Sequence, residues 1–169
     1  MRFRTATASA GLLLIVSAIV AGCATDDCDG NRNTLPEAGF YANTAAHPKL
    51  AIDGLTVFGV GAPGDSLLLD SAVNVSSVPL PFNLDAGSST FVFRYDQAGG
   101  LEDRVTFRYE AQPYFVSSAC GVSYRFHIKG IEHTSQLIDS IAVPGDIITN
   151  AEGENIRIYF RYTEEEGPQ

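Results

Sequence analysis

The sequence predicts an all-β fold, a single-domain antiparallel β-sandwich of immunoglobulin-like or similar type, with a small β-barrel as the alternative. Three observations predict it. Short runs rich in Val, Ile, Phe, Tyr and Thr recur at regular spacing, with Gly, Pro, Asp and Asn turn signals between them. No stretch after residue 23 sustains a 3.6-residue apolar period with helix caps. Finally, 169 residues with 45% apolar content fit one domain and supply a real core.

The chain opens with Met1-Arg2-Phe3-Arg4, a short basic start, followed by the apolar run Leu12 to Val20. Nine residues at about 1.5 Å each fall well short of a hydrocarbon core roughly 30 Å thick, so the run is a secretory h-region and not a span. Val20-Ala21-Gly22-Cys23 then looks like a bacterial lipobox, in which the thiol after the cut receives diacylglycerol. The alternative is an ordinary signal peptide with a cysteine near its cleavage site. This reading gives a signal peptide over 1–22, a lipidated N-terminus and short linker over 23–35, the β-sandwich domain over 36–163 and an acidic tail over 164–169. The predicted localisation is the outer membrane, through lipid on Cys23, with the periplasmic or the cell-surface side left open.

Charge supports anchoring by lipid and not by electrostatics. Eleven basic residues stand against 20 acidic ones, a net of -9, and loss of Arg2 and Arg4 makes the remainder more acidic still. Such a surface is repelled by anionic headgroups and gives nucleic acid no footprint. Ala24-Thr25-Asp26-Asp27 resembles the acidic surface-export signal of Bacteroidota lipoproteins, or is a solvated linker.

With Cys23 acylated, Cys28 and Cys120 remain as an even pair in an oxidising compartment, and one disulfide is the natural reading. It would close a loop of roughly 90 residues, worth about 4–5 kcal/mol in the chain-entropy model. Two free buried thiols are the alternative. With the bridge, the domain hangs within roughly 20 Å of the bilayer, because so few residues separate the lipid from it.

Strand signals follow in order: Gly39 to Thr44; Leu50-Ala51-Ile52 and Leu55 to Val60, flanking Asp53-Gly54; and Ser66 to Leu69 after Pro63-Gly64-Asp65. Val78 to Leu84 carries two prolines and belongs at an edge if it pairs. Thr90 to Tyr95 and Arg104 to Tyr109 surround Gln97-Ala98-Gly99-Gly100 and form a hairpin. In its second arm Val105, Phe107 and Tyr109 face one way, and Arg104, Thr106 and Arg108 the other. Tyr114 to Val116, Val122 to Ile128, Ile138 to Val143 and Ile156 to Phe160 complete the series.

Candidate chemistry is sparse. Gly64-Asp65-Ser66-Leu67 spells the GDSL-esterase nucleophile motif, but no histidine has an acid three residues before it, and no helix is expected after Leu67. His47, His127 and His133 show no ligand spacing and read as surface residues. Asp27, Asp29, Asn31 and Asn33 alternate faintly like a calcium loop, yet position 38, where a bidentate Glu belongs, is Ala38. Tyr41, Tyr109 and Tyr114 are the candidate sugar-stacking aromatics in a chain without Trp. No catalytic residue, metal or cofactor is predicted.

Cys28, Asp65-Ser66-Leu67, Asp103 to Tyr109, Ser117-Ser118-Ala119-Cys120-Gly121, Ile138-Asp139-Ser140-Ile141 and Asn155 to Tyr159 together resemble a family of small uncharacterised lipoproteins of the Bacteroidota. The resemblance spans nearly the whole mature chain. It implies a single-domain lipoprotein with a Cys28–Cys120 bridge and, from relatives encoded beside predicted outer-membrane barrels, a barrel or other envelope protein as partner. The expected function is that of a non-catalytic, membrane-tethered interaction or structural module. The alternative is a glycan- or small-ligand-binding lipoprotein.

Overall fold

The computed structural model describes residues 35–61, 66–118, 120–149 and 153–161. The signal segment, Cys23, Cys28, the Asp27-to-Asn33 ladder, Gly64-Asp65 of the Gly-Asp-Ser-Leu motif and the acidic tail lie outside the described residues. Among the described residues no helix is long and apolar enough to cross a membrane.

The strands are β1 (Glu37–Ala42), β2 (Leu55–Val60), β3 (Leu67–Ala72), β4 (Ser77–Pro79), β5 (Ser88–Tyr95), β6 (Leu101–Ser117), β7 (Gly121–His133), β8 (Ile138–Ala142), β9 (Ile147–Ile148) and β10 (Ile156–Phe160). They form two open sheets, one ordered β4-β1-β10-β8 and the other β3-β2-β5-β6-β7-β9. The fold is the predicted sandwich and not a closed barrel. Alternation drives it: Ala38, Phe40, Ile156 and Ile158 of the smaller sheet face Phe91, Phe93, Val105 and Phe107 of the larger one, all buried. Edge-to-face contacts tie the layers, with Phe40 6.3 Å from Phe93 and Phe160 6.2 Å from Tyr95 between ring centroids.

The expected central hairpin is present, with Thr90 against Thr106 and Tyr95 against Leu101, so its second arm starts earlier than Arg104. Its turn ends on Gly99 and Gly100 at φ of 70° and 75°, a left-handed pair that side chains disfavour. Three features differ from expectation, and a fourth refines one that holds. First, the runs Arg104 to Tyr109 and Tyr114 to Val116 belong to one 17-residue strand that passes through Pro113. Proline is tolerated there because β5 pairs no further than Arg108, leaving that side of β6 without a ladder to feed.

Second, Leu50 to Ile52 forms no strand: it lies on the crossover between the sheets, where Lys49 just before it makes an isolated bridge to Tyr41 and Ile52 one to Val75. Third, β1 and β10 pair in parallel. Fourth, of the proline segment only Ser77–Pro79 pairs, at the edge of the smaller sheet. The donation from Leu80 N to Pro36 O (2.8 Å) and the acceptance by Ser76 O from Phe40 N (2.9 Å) turn the even positions inward. Pro79 and Pro81 therefore face outward and strip that edge of donors. Phe82 then enters the core, stacking on Tyr109 at 4.6 Å and 13°.

The crossover from β7 to β8 is held by one carboxylate. Asp103 is fully buried and accepts from Gln136 N (2.7 Å), Leu137 N (2.8 Å), Ile138 N (2.9 Å), Thr134 Oγ1 (2.7 Å) and Tyr95 Oη (3.2 Å). Burial alone would raise the Asp103 carboxyl, but the three amides and the Thr134 hydroxyl outweigh it and hold the group below the usual carboxylate range. Burial and the Asp103 charge together push the Tyr95 hydroxyl far above its ordinary value.

Replacing Asp103→Asn substitutes an amide for a charged acceptor beneath three buried N–H groups. It should cost about 2–4 kcal/mol in denaturant melts at neutral pH. The wild-type contribution is present above the unfolded carboxyl value of about 3.9 and is lost as pH falls through the lower folded value. The gap between wild type and variant should therefore narrow below about pH 4. Equal stabilities at pH 7 would contradict this role.

Candidate functional site

A cluster of polar and aromatic groups lies on the outer face of the smaller sheet. The parallel register sets Gly39 beside Arg157 and Tyr41 beside Tyr159. Because their neighbours along each strand point into the core, all four face outward. Glu154, just before β10, lies over Gly39, and a Cβ at that position would sit 1.2 Å from Glu154 Oε2. Only glycine leaves room for the carboxylate.

There Glu154 accepts from Tyr41 Oη at 3.0 and 3.1 Å and pairs with Lys49 Nζ at 2.6 Å. Lys49 also lies 4.9 Å from the Tyr41 ring centroid, with Arg157 at 5.9 Å. The His47 ring stands 4.8 Å from that of Tyr159, edge to face, and its Nδ1 is 3.4 Å from Ala42 O. Partial burial opposes the Lys49 charge, but the hydrogen bond and charge of Glu154, with Tyr41, lift its pKa above the ordinary lysine value. The two carboxylate oxygens are taken by Lys49 and Tyr41, and the Tyr41 ring is flanked by two cations. The patch is thus a self-satisfied network, with its carboxylate occupied and its tyrosine ring partly covered.

The sequence-predicted candidates are not brought together. Tyr109 is buried, bonding Asn83 O (2.7 Å) and Ser89 Oγ (2.7 Å) through its hydroxyl, which removes it as a sugar platform. Tyr114 pairs with the Arg125 guanidinium at 4.4 Å, on β6 of the larger sheet, whereas Tyr41 is on β1 of the smaller one. His127 Nε2 lies 3.0 Å from Gln112 Oε1, and His133 Nδ1 lies 2.8 Å from Thr134 O. Ser66 is exposed and leads into β3, a strand and not a helix. Among the described residues no group of three or more His, Cys, Asp or Glu side chains converges as a metal site.

Sequence reasoning missed Gly39, Glu154 and Tyr159. The alternation in Asn155 to Tyr159 carries Arg157 and Tyr159 to one face, but the parallel pairing that meets Tyr41 has no local signature.

Two further features lie at the end of the sandwich near Phe82. A cleft of about 470 Å3 is lined by Gly59, Val60, Asn83, Ser88 and Thr90 among others. Beyond it the β6–β7 hairpin projects, with Cys120 in its turn. Cys120 is not a free thiol, and Cys23 and Cys28 lie outside the described residues.

A family model described as "Family of unknown function (DUF6452)" matches residues 54–160. No curated protein and no solved structure matches the chain.

Glu154→Gln removes the charge beside Lys49 and keeps the shape. The Lys49 titration midpoint, followed by NMR of its side chain, should move down toward that of an ordinary lysine. A raised lysine pKa contributes stability below the unfolded value and loses it as pH climbs through the folded one. At this exposure the contribution is under about 1 kcal/mol. An unmoved midpoint would show that Glu154 does not govern the patch.

Proposed function

The chain belongs to the DUF6452 family, a family of unknown function, and on that premise we propose that it is a non-catalytic envelope lipoprotein: a rigid β-sandwich anchored at the outer membrane by lipid on Cys23. It acts as an interaction or structural module toward a neighbouring outer-membrane barrel or other envelope protein. The observation that carries this reading is the order of the first 23 residues: a basic start, a nine-residue apolar run, then Val20-Ala21-Gly22-Cys23. A Cys28–Cys120 disulfide belongs to the same reading and fits the placement of Cys120 in an ordered turn, where its N–H donates to Ser117 Oγ at 3.0 Å.

Two observations support a non-catalytic role. Each histidine contacts a neighbour that is neither a nucleophile nor an orienting acid, and Ser66 enters a strand. For a protein partner, β3 is the more open edge: Leu67 and Val73, at and just past its two ends, are exposed, whereas the prolines of β4 block its ladder.

A second reading, binding of a glycan or small ligand, draws on the cleft beside Phe82, whose size suits such a ligand and whose rim carries Asn83, Ser66 and Ser88. A glycan array with folded protein would separate the two, because the lipoprotein-module reading predicts no hit.

Crosslinking the wild-type chain at native abundance in intact cells should capture an envelope neighbour. The Cys23→Ala chain should lose that adduct and leave the membrane fraction. Recovery of monomer alone from wild-type cells would contradict the proposal.

A further inference from the structure

We propose that the β6–β7 hairpin is a membrane-contacting element whose tip seats Phe115, Val116 and Val122 in the headgroup–acyl boundary of the bilayer. The inference rests on the lipoprotein reading, and four observations carry it. The first is shape. The β5 ladder ends at Arg108 and the β9 ladder at Phe126, so beyond those points β6 and β7 pair only with each other. The last seven residues of β6 thus reach roughly 20 Å past the larger sheet.

The second is chemistry. The core-facing stripe of β6 runs through buried Val105, Phe107 and Tyr109, and the same face continues through Ala111 and Pro113 to Phe115. On β7 it runs from buried Phe126 through Tyr124 to Val122, the registered partner of Phe115. At the tip this core pattern has no opposing sheet: Phe115 is 68% exposed and Val122 54%, and Val116, at the irregularity just past Phe115, is 43% exposed. A hairpin facing only water carries polar residues on such a face.

The third is charge. From Ala111 to Tyr124 the hairpin holds no charged residue in a chain of net -9, so the acidity that repels anionic headgroups is absent from it. Arg125, at its base, covers the Tyr114 ring at 4.4 Å and suits a headgroup phosphate at that depth.

The fourth is position. Cys120 lies in the hairpin turn, and the proposed bridge joins it to Cys28, five residues after the lipidated Cys23. That spacing, with the span of the bridge added, limits the tip to roughly 20–25 Å from the acyl anchor. β1 also starts at this end of the sandwich. Pro36 O accepts from Leu80 N, and Phe82, two residues on, stacks on Tyr109 at the hairpin base. Lipid, bridge and exposed apolar tip therefore converge on one end. The bilayer is the occupant that this convergence selects over a protein partner.

The chain has no tryptophan, so a single one reports cleanly. Full-length Phe115→Trp, processed and lipidated in a Gram-negative host, is reconstituted into phosphatidylethanolamine–phosphatidylglycerol vesicles with acyl chains brominated near the glycerol. Its emission should shift to shorter wavelength and be quenched by bromine, and Val122→Trp should behave alike, guarding against one misfolded variant. Val73→Trp is 71% exposed at the opposite end, roughly 50 Å away along β6, and should stay unquenched. Unquenched tip tryptophans in protein that floats with the vesicles would overturn the inference and leave the lipoprotein reading standing. Equal quenching at position 73 would overturn it too, as the mark of a domain lying flat. Protein that does not float would overturn both.

Discussion

The fold depends on one buried carboxylate. Asp103 stands near the start of β6, in the larger sheet, yet three of its donors are backbone amides of the segment that leads into the smaller one. A polar crossover between apolar layers needs its N–H groups satisfied without water, and one charged acceptor does this for consecutive residues. Thr134 doubles the tie, giving its hydroxyl to Asp103 and accepting from Arg104 N at 2.9 Å. With this corner fixed, Ile138 enters the core and β8 is aligned on β10.

The two ends of the sandwich are therefore different objects. The Asp103 end is closed by charge-assisted hydrogen bonds and by Tyr95 against Phe160. The other end is plugged by aromatic rings, Phe82 lying 4.6 Å from Tyr109, 5.1 Å from Phe107 and 5.2 Å from Phe126. From the plugged end the long hairpin leaves, and β1 starts beside it. On the proposed lipoprotein reading, a lipid joined to the chain before β1 would set this pole, with its exposed apolar tip and open cleft, toward the bilayer, and the acidic surface would keep the remainder of the domain off the lipid.

Much of this was legible in the sequence, and the part that was not has a physical explanation. The alternation in Thr90 to Tyr95 and Arg104 to Tyr109 marked the hairpin and its faces, because the side-chain period of a strand is two, whereas the register, with Leu101 already paired to Tyr95, was not read from it. The runs either side of Pro113 were read apart, but a strand with an empty side has no use for the missing N–H, so they are one strand. Pro79 and Pro81 did mark an edge, and Phe82, between that edge and β5, is core. The outer patch was hidden because Glu154, Lys49 and Tyr41 meet only through a parallel pairing of the first and last strands, and long-range register leaves no local mark. Asp103 was read only as the opening of a strand, since nothing in its neighbours shows that residues 134–138 will fold back onto it.

What would connect the structure to a cellular role is the acyl chain proposed on Cys23. Growth of the native cells with labelled palmitate, followed by capture of the protein from membrane and medium fractions, tests it most directly. The account predicts label on the mature wild-type protein in the membrane fraction and none on a Cys23→Ala chain. Unlabelled wild-type protein, released freely into the medium, would contradict it.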